Sequence, residues 1–247
     1  MIGVVDIGNT RTKIALFAES GALEAELAIP SGPDFYAKLE GFLRHGIVLD
    51  RVVIGSVVPS LTPLWAEFLM PRTNLLHVAG HDSPWGFRIT VDEPETLGVD
   101  RLANLEGALS LEGAVLVVDA GTATKFDLLE GVNPRSFPGG AIAPGFEISY
   151  EAMLARAEKL KRVDLSKFSP VLGYNTDTAI RSGVLHGFAA QVDGMVARIF
   201  EERQLRPPLQ VVATGGNAPF LQGRARFVTQ FRPRLTQEGL RELARKI

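Results

Sequence analysis

The chain has 247 residues, enough for one large domain or two small ones. Hydrophobic residues make up 46% and charged residues 22%, which excludes a disordered chain, and the formal charge of -2 speaks against a nucleic-acid partner, which asks for a basic surface. The absence of cysteine excludes a disulfide framework, a cysteine zinc site and a thiol nucleophile, and fits a cytoplasmic protein.

Met1-Ile2-Gly3-Val4-Val5 has no basic n-region and runs straight into Asp6, so no signal peptide is expected. No stretch approaches the roughly 18 apolar residues of a membrane helix, so no membrane is expected either. Residues 2–7 read as a buried strand and 12–18 as a second one, with Gly8-Asn9-Thr10 as the turn between them. Residues 23–29 suit a third strand, and Phe35, Leu39, Phe42 and Leu43 have helical spacing. Val52-Val53-Ile54 is a buried-strand run. Leu61, Leu64, Trp65, Phe68 and Leu69 mark a helix, and a further helix runs from about 99 to 111.

The opening pattern then returns. Val4-Val5-Asp6-Ile7-Gly8-Asn9-Thr10 is echoed by Val117-Val118-Asp119-Ala120-Gly121-Thr122-Ala123, and with one gap Thr12-Lys13 lies opposite Thr124-Lys125. A repeat near the chain midpoint is where a duplicated fold restarts. A Gly/Pro-rich segment follows at 138–145, then helices at about 146–161 and 177–203, a strand at 209–213 and an amphipathic helix at 235–246. The long helix carries an apolar stripe from Leu185 through Phe188, Val192, Met195, Val196 and Ile199 to Phe200. That is more than a small lobe easily covers, so a two-fold dimer using part of this helix is expected. Strands and helices alternating, repeated once, predict an α/β protein of two similar lobes, 1–112 and 113–247.

There is no P-loop, no dinucleotide fingerprint and no nucleophile elbow. His45, His77, His81 and His186 show no metal-ligand spacing. What remains is a set of carboxylates beside glycines. Asp6 ends a strand at Gly8-Asn9-Thr10, a turn that can aim N–H groups and a hydroxyl at phosphate oxygens while the carboxylate holds Mg2+ directly or through water. Lys13 adds a positive charge to the same hairpin. The plain alternative is an Asp that satisfies its turn. Asp119-Ala120-Gly121-Thr122 repeats the arrangement. Asp100, in Gly98-Val99-Asp100-Arg101 at a helix start, is either a base for an attacking hydroxyl or a helix-terminus partner. Arg101 can hold an anionic group of a substrate or make a surface ion pair. Thr214-Gly215-Gly216-Asn217 after a strand suits the close approach of a flat ring, such as adenine, or of ribose.

Taken in order, these blocks resemble the type III pantothenate kinases, a branch of the acetate and sugar kinase, heat-shock chaperone and actin superfamily. The blocks are Asp6-Ile7-Gly8-Asn9-Thr10 with Lys13; Gly55-Ser56-Val57-Val58-Pro59; Pro94-Glu95-Thr96-Leu97-Gly98-Val99-Asp100-Arg101; and Asp119-Ala120-Gly121-Thr122-Ala123. Gly139-Gly140-Ala141-Ile142-Ala143-Pro144-Gly145, Asn175-Thr176 and Gly215-Gly216-Asn217 complete them. The resemblance implies two duplicated actin-like (ribonuclease H-like) lobes with a central nucleotide cleft, and ATP-dependent phosphorylation of pantothenate in coenzyme A biosynthesis. It implies ATP contacts from Asp6 through Gly8, Asn9 and Thr10 to Lys13 and at Thr122. Pantothenate contacts come from Gly98, Val99, Arg101 and Thr176, with Asp100 as proton acceptor. Asp119 then binds a monovalent cation, potassium or ammonium, and the enzyme works with Mg2+ as a homodimer whose second subunit partly closes the pantothenate pocket.

Two positions depart from the family pattern. Val91 stands where a tyrosine usually helps bind pantothenate, seven residues before the glycine of the Gly-x-Asp-Arg block. A neutral hydrogen bond is worth about 0.5–1.5 kcal/mol net, so its loss weakens binding by about tenfold at most. Lys125 stands where threonine is common. It shares a strand face with Asp127, which suggests an ordinary surface pair; reaching back toward Asp119, it would fill space otherwise taken by potassium. Two other functions fit the same residues: a kinase of another small hydroxy acid, and a regulatory protein that binds ATP without turning it over.

Overall fold

The computed structural model describes residues 1–43 and 48–247. In chain order these form β1 (Ile2–Ile7), β2 (Arg11–Phe17), β3 (Leu23–Pro30), α1 (Tyr36–Phe42), β4 (Arg51–Ser56), α2 (Thr62–Leu69), β5 (Leu76–Val78), β6 (Arg88–Ile89) and α3 (Val99–Ala108). There follow β7 (Ala114–Ala120), β8 (Ala123–Glu130), β9 (Ser136–Pro144), α4 (Phe146–Arg156), α5 (Thr176–Glu202), β10 (Leu209–Thr214), β11 (Gln230–Phe231) and α6 (Leu235–Ala244). None of the described helices is long and apolar enough to cross a membrane.

The chain divides into two compact units, one of residues 1–110, 134–137 and 234–247, the other of 111–133 and 138–233. The division after residue 110 falls beside the expected boundary at 112. Residues 134–137 and 234–247, expected in the second lobe, group with the first unit. For α6 the reason is its apolar face: Leu240, Leu243 and Ala244 are buried in one cluster with Ile2, Val4, Val53 and Val99.

In the first unit the sheet order is β3-β2-β1-β4-β5, antiparallel through β1, β2 and β3 and parallel through β1, β4 and β5. Side chains alternate along β1. Val5 and Ile7 enter a core with Leu39, Trp65 and Leu69 of α1 and α2, while Ile2 and Val4 face α3 and α6. A strand buried on both faces reads as an unbroken apolar run, as residues 2–5 do. Asp6 has the parity of Ile2 and Val4 and so lies on the α3 and α6 side.

Helix α3 is held by α6 at very short range. A β-carbon built on Gly239 would fall 1.7 Å from the Ala103 carbonyl oxygen, so only glycine fits there. Thr236 Oγ1 donates to Asn104 Oδ1 at 2.8 Å. Glu106, 3% exposed, accepts from the Gly86 amide at 2.7 Å and pairs with Lys246, so its buried charge is both bonded and neutralised.

In the second unit strands run in the order β11-β10-β7-β8-β9. Ser136 and Phe137 at the start of β9 group with the first unit and pair there with Arg88 and Ile89 of β6. Residues 138–145, expected as a Gly/Pro-rich segment, are mostly strand. Pro138 lacks an N–H and Gly139 has φ +144, features that hide a strand from a propensity reading but that β9 accommodates. Helix α4 stops at Arg156, short of the expected 161, and the chain returns so that the Val163 amide donates to Tyr150 Oη at 2.7 Å.

The stripe on α5 belongs to this unit's own core. Leu185, Phe188, Val192 and Val196 are buried with Leu116, Val118, Phe126 and Val211, and Met195, Ile199 and Phe200 pack against the same cluster. The surplus from which a dimer was expected is therefore taken up within the unit, because β7, β8 and β10 present a matching apolar face.

The α3–α6 contact generates a stability prediction. Replacing Gly239 by alanine forces a methyl group into a backbone carbonyl, an overpacking that costs at least about 1–3 kcal/mol. The Gly239→Ala protein is expected to unfold at clearly lower urea concentration, with an unchanged m-value, in a circular-dichroism titration.

Candidate active site

Each unit carries one copy of the repeated hairpin. In the first, Asp6 stands directly opposite Lys13 on β2, and the last pair before the turn is Ile7 with Thr12. The turn closes through the Gly8 amide, which donates to the Arg11 carbonyl at 3.1 Å. Ser31 braces it from the end of β3: its hydroxyl donates to the Gly8 carbonyl at 2.6 Å and meets Thr12 Oγ1 at 2.9 Å. Asn9 and Thr10 are left exposed at the tip. A braced turn with an exposed Asn9 and Thr10 at its tip, beside Lys13 and a half-buried carboxylate, suits a polyphosphate with its Mg2+. Among the described residues no three His, Asp or Glu side chains converge into a metal cage. A Mg2+ ion at Asp6 would thus take most of its oxygens from phosphate and water, as this ion commonly does.

The Ile7 carbonyl accepts from the Val57 amide at 3.0 Å, and Ser56 and Thr62 bond each other across the start of α2 at 2.8 Å. These bonds place the 55–59 block at the end of the same sheet. Val99, on the first turn of α3, is buried against this sheet, and Asp100 follows it, half-buried. Asp100 Oδ1 accepts from the Arg101 amide at 2.9 Å. The helix-terminus role is thus present, and it also fixes the carboxylate at the positive end of a helix dipole. The Arg101 guanidinium lies 5.4 Å from the centroid of the Phe137 ring. Thr90, just before Val91, hooks the same residue, its amide and hydroxyl donating to the Phe137 carbonyl at 3.0 and 3.1 Å. Phe137 therefore contacts both Arg101 and the segment leading to Val91, a role absent from the sequence reading. A lone buried Phe in a Gly/Pro-rich stretch gives no signal of that role.

In the second unit Asp119 stands opposite Lys125, and the turn closes through the Gly121 amide donating to the Ala123 carbonyl at 3.1 Å. The loop is one residue shorter than its counterpart, yet aspartate again faces lysine. The expected Lys125–Asp127 surface pair takes another form. Asp127 is fully buried, and Lys125 Nζ donates to Asp119 Oδ2 at 3.2 Å. The two side chains are 20% and 14% exposed, so the pair is shielded from solvent. The directly opposed residue wins because it lies about 5 Å away across the ladder, against about 7 Å for the residue two along the strand.

Gly215 and Gly216 follow β10 beside this hairpin. Gly215 has φ +89, and a β-carbon there would fall 2.6 Å from Asp119 Oδ1. The Asn217 amide donates to the Ala120 carbonyl at 2.8 Å, and its side-chain amide to the Gly121 carbonyl at 3.3 Å. Asp119, the 121–122 turn and Gly215 are thereby one assembly. Thr122 is exposed, and its carbonyl lies where a β-carbon on Gly145 would come within 2.1 Å. Beyond Gly145 opens a cavity of about 920 Å3 lined by Pro144, Phe146, Tyr150, Thr176, Gly183 and Gly187. Thr176 is the first residue of α5. Asn175 caps that helix, accepting from the Thr178 amide at 2.9 Å while Thr178 Oγ1 accepts from the Asn175 amide at 3.0 Å.

The histidines play no part in these assemblies. His77 bonds Ser83 and His186 the Ser169 carbonyl, His81 is exposed, and His45 lies outside the described residues.

A family model for type III pantothenate kinase matches residues 3–198. The type III pantothenate kinase of Dehalococcoides mccartyi strain CBDB1 is 36% identical over 249 residues, covering 96% of this chain and 92% of that protein. That of Streptomyces griseus is 34% identical over 260 residues, covering 98% and 96%. Among solved structures, the glucokinase of an Antarctic psychrotroph superposes with a TM-score of 0.57 at 15% identity, covering 100% of this chain and 99% of that one, a likeness of fold. With two α/β units, each opened by the same Asp-bearing hairpin, and matches that run almost end to end, the chain has the two-lobed actin-like fold and belongs to the type III pantothenate kinase family.

Proposed function

We propose that this chain transfers the γ-phosphoryl group of ATP to the primary hydroxyl of pantothenate, giving phosphopantothenate and ADP at the first step of coenzyme A biosynthesis in the cytoplasm. The near end-to-end family match carries the reading, and the carboxylate of Asp100, fixed at the start of α3, supplies the chemistry it needs. Asp100 accepts the hydroxyl proton as the pantothenate oxygen bonds to the γ-phosphorus and the bond to the bridging oxygen breaks, leaving ADP. Gly98 and Val99 border the acceptor, and Arg101, steadied on Phe137, faces its carboxylate.

The 8–10 turn and Lys13 hold phosphate oxygens, and the family resemblance implies a further ATP contact at Thr122. Gly216, with nothing within 4 Å of the place a β-carbon would take, leaves room for the adenine or ribose, while Gly215 allows its turn to approach Ala120 and Asp119. Asp6 would hold Mg2+ directly or through water, and the ion would supply charge compensation for the phosphates. Thr176, the first residue of α5, is a further acceptor contact that the family resemblance implies. The resemblance also implies a monovalent cation at Asp119. The ammonium of Lys125 already stands there, and two like unit charges about 4 Å apart repel by about 4 kcal/mol at an effective dielectric constant of about 20.

The homodimer in this reading rests on the family resemblance and on the open side of the second unit. Phe168, Val171, Leu172 and Tyr174 are between 72% and 85% exposed, and the cavity is floored by Gly183 and Gly187 of α5, whose outer sides meet nothing within 4 Å. An apolar segment left so exposed, beside a cavity lined by Thr176, suits a second copy that completes the acceptor pocket. Sedimentation equilibrium at micromolar concentration is expected to give a dimer and Leu172→Asp a monomer; a stable wild-type monomer rejects this assembly.

One observation favours a second acceptor. Val91, half-buried beside the Thr90–Phe137 bonds, offers no hydroxyl where the family has a tyrosine. ADP release is therefore to be followed with pantothenate and with related hydroxy acids in turn. Pantothenate is expected to give the largest acceleration, and a larger one from another hydroxy acid reassigns the substrate. ATP binding with no acceleration by any of them supports the regulatory reading instead. Asp100→Asn is expected to keep ATP binding while turnover falls by about 10²–10⁴, the usual worth of a positioned base. Near-normal turnover in a folded Asp100→Asn protein removes the assignment.

A further inference from the structure

The two hairpins carry the same cross-strand pair, Asp6 with Lys13 and Asp119 with Lys125, although their turns differ by one residue. Lys13 is absorbed by the nucleotide reading; Lys125 is not. Its ammonium lies 3.2 Å from Asp119 Oδ2, and both side chains are largely buried. The other oxygen, Oδ1, faces the Gly215 turn, where a β-carbon would come within 2.6 Å of it. One edge of the carboxylate is thus crowded by backbone and the other is engaged by a full positive charge. The donor set does not suit a free monovalent ion, which needs that carboxylate unneutralised and several oxygens around it. An alkylammonium group has the charge of potassium or ammonium and reaches the same oxygen, but it cannot dissociate.

We infer that Lys125 is a built-in replacement for the monovalent cation at Asp119, so that this chain works without added potassium or ammonium. Covalent attachment makes the counter-charge independent of the salt around the protein. The lysine side chain neutralises Asp119 and holds it toward the Gly121 and Gly215 turns; it takes no part in proton or phosphoryl transfer and is a positioning residue.

The inference rests on the kinase reading above, and the test separates the two. Turnover with ATP, Mg2+ and pantothenate is measured from zero to about 100 mM potassium, with ionic strength held constant by tetramethylammonium chloride because salt itself screens charges. The wild-type rate is expected to change by less than about twofold, whereas Lys125→Thr is expected to fall by about tenfold or more without potassium and to recover when it is added. Crystals soaked in thallous ion supply a readout free of activity. An anomalous peak beside Asp119 is expected in Lys125→Thr and none in the wild type. A many-fold rise of wild-type turnover with potassium, or a thallous ion beside Asp119 in the wild type, overturns the inference. Absence of turnover with every acceptor defeats the kinase reading alone, since the thallous-ion comparison still decides the role of Lys125. Should Lys125→Thr fail to fold, the two wild-type arms decide it unaided.

Discussion

Two helices of the first unit meet backbone to backbone: at Gly239, α6 comes so near the Ala103 carbonyl that no β-carbon can stand between them. Much else follows from that contact. It brings the apolar face of α6 against β1 and β4 and fixes the level at which α3 lies on the sheet. Val99 enters the same core, so the first turn of α3, with Asp100 and Arg101, is held by packing rather than by a flexible loop. The role proposed for Asp100 asks that its oxygen be held within a few tenths of an ångström of a productive position. Here that rigidity comes from a helix contributed by the far end of the chain.

Charge sets the second constraint. A carboxylate at the end of a buried strand loses hydration and must gain a partner or a proton. In both hairpins a lysine stands opposite the aspartate in the ladder, and at Asp119 it makes the ion pair. The solution follows from antiparallel geometry, since directly opposed side chains share a face. The two sites then part ways. At Asp6 the exposed turn tip leaves donors for a phosphate, whereas at Asp119 the Gly215 turn closes over one edge of the carboxylate and Lys125 engages the other. The two copies of one hairpin thus differ in their surroundings, with an exposed tip at Asp6 and a shielded ion pair at Asp119.

The second unit divides its surfaces sharply. One side of α5 is spent on the sheet through Leu185, Phe188, Val192 and Val196, and its glycine-bearing side is open at the cavity. A helix with glycines on its exposed side gains nothing locally from them, since glycine weakens a helix interior by roughly 1 kcal/mol relative to alanine. Their value lies in the room they leave beside Thr176. The capping box at Asn175 offsets part of that cost and fixes where the helix begins.

Much of this was legible in the chain itself. Unbroken apolar runs marked β1, β4 and β10, and helical spacing marked α2, α3 and α5, because those patterns record which faces must be buried. The two Val-Val-Asp-x-Gly blocks announced the duplicated hairpins and named Asp6 and Asp119. Other features depended on partners distant in sequence. The α5 stripe looked too long for one lobe until β7, β8 and β10 supplied the matching surface. Phe137 gained its role only when Arg101 and Thr90 were brought to it. Residues 234–247 looked like an ordinary terminal helix of the second lobe, and only the burial of their apolar face against β1, β4 and α3 assigned them to the first unit. Lys125 is the sharpest case. Spacing along one strand proposed Asp127, because a residue knows its neighbours at i+2. Its pairing with Asp119 was decided by the register that a three-residue loop imposes across two strands, a relation that exists only once the chain has folded back on itself.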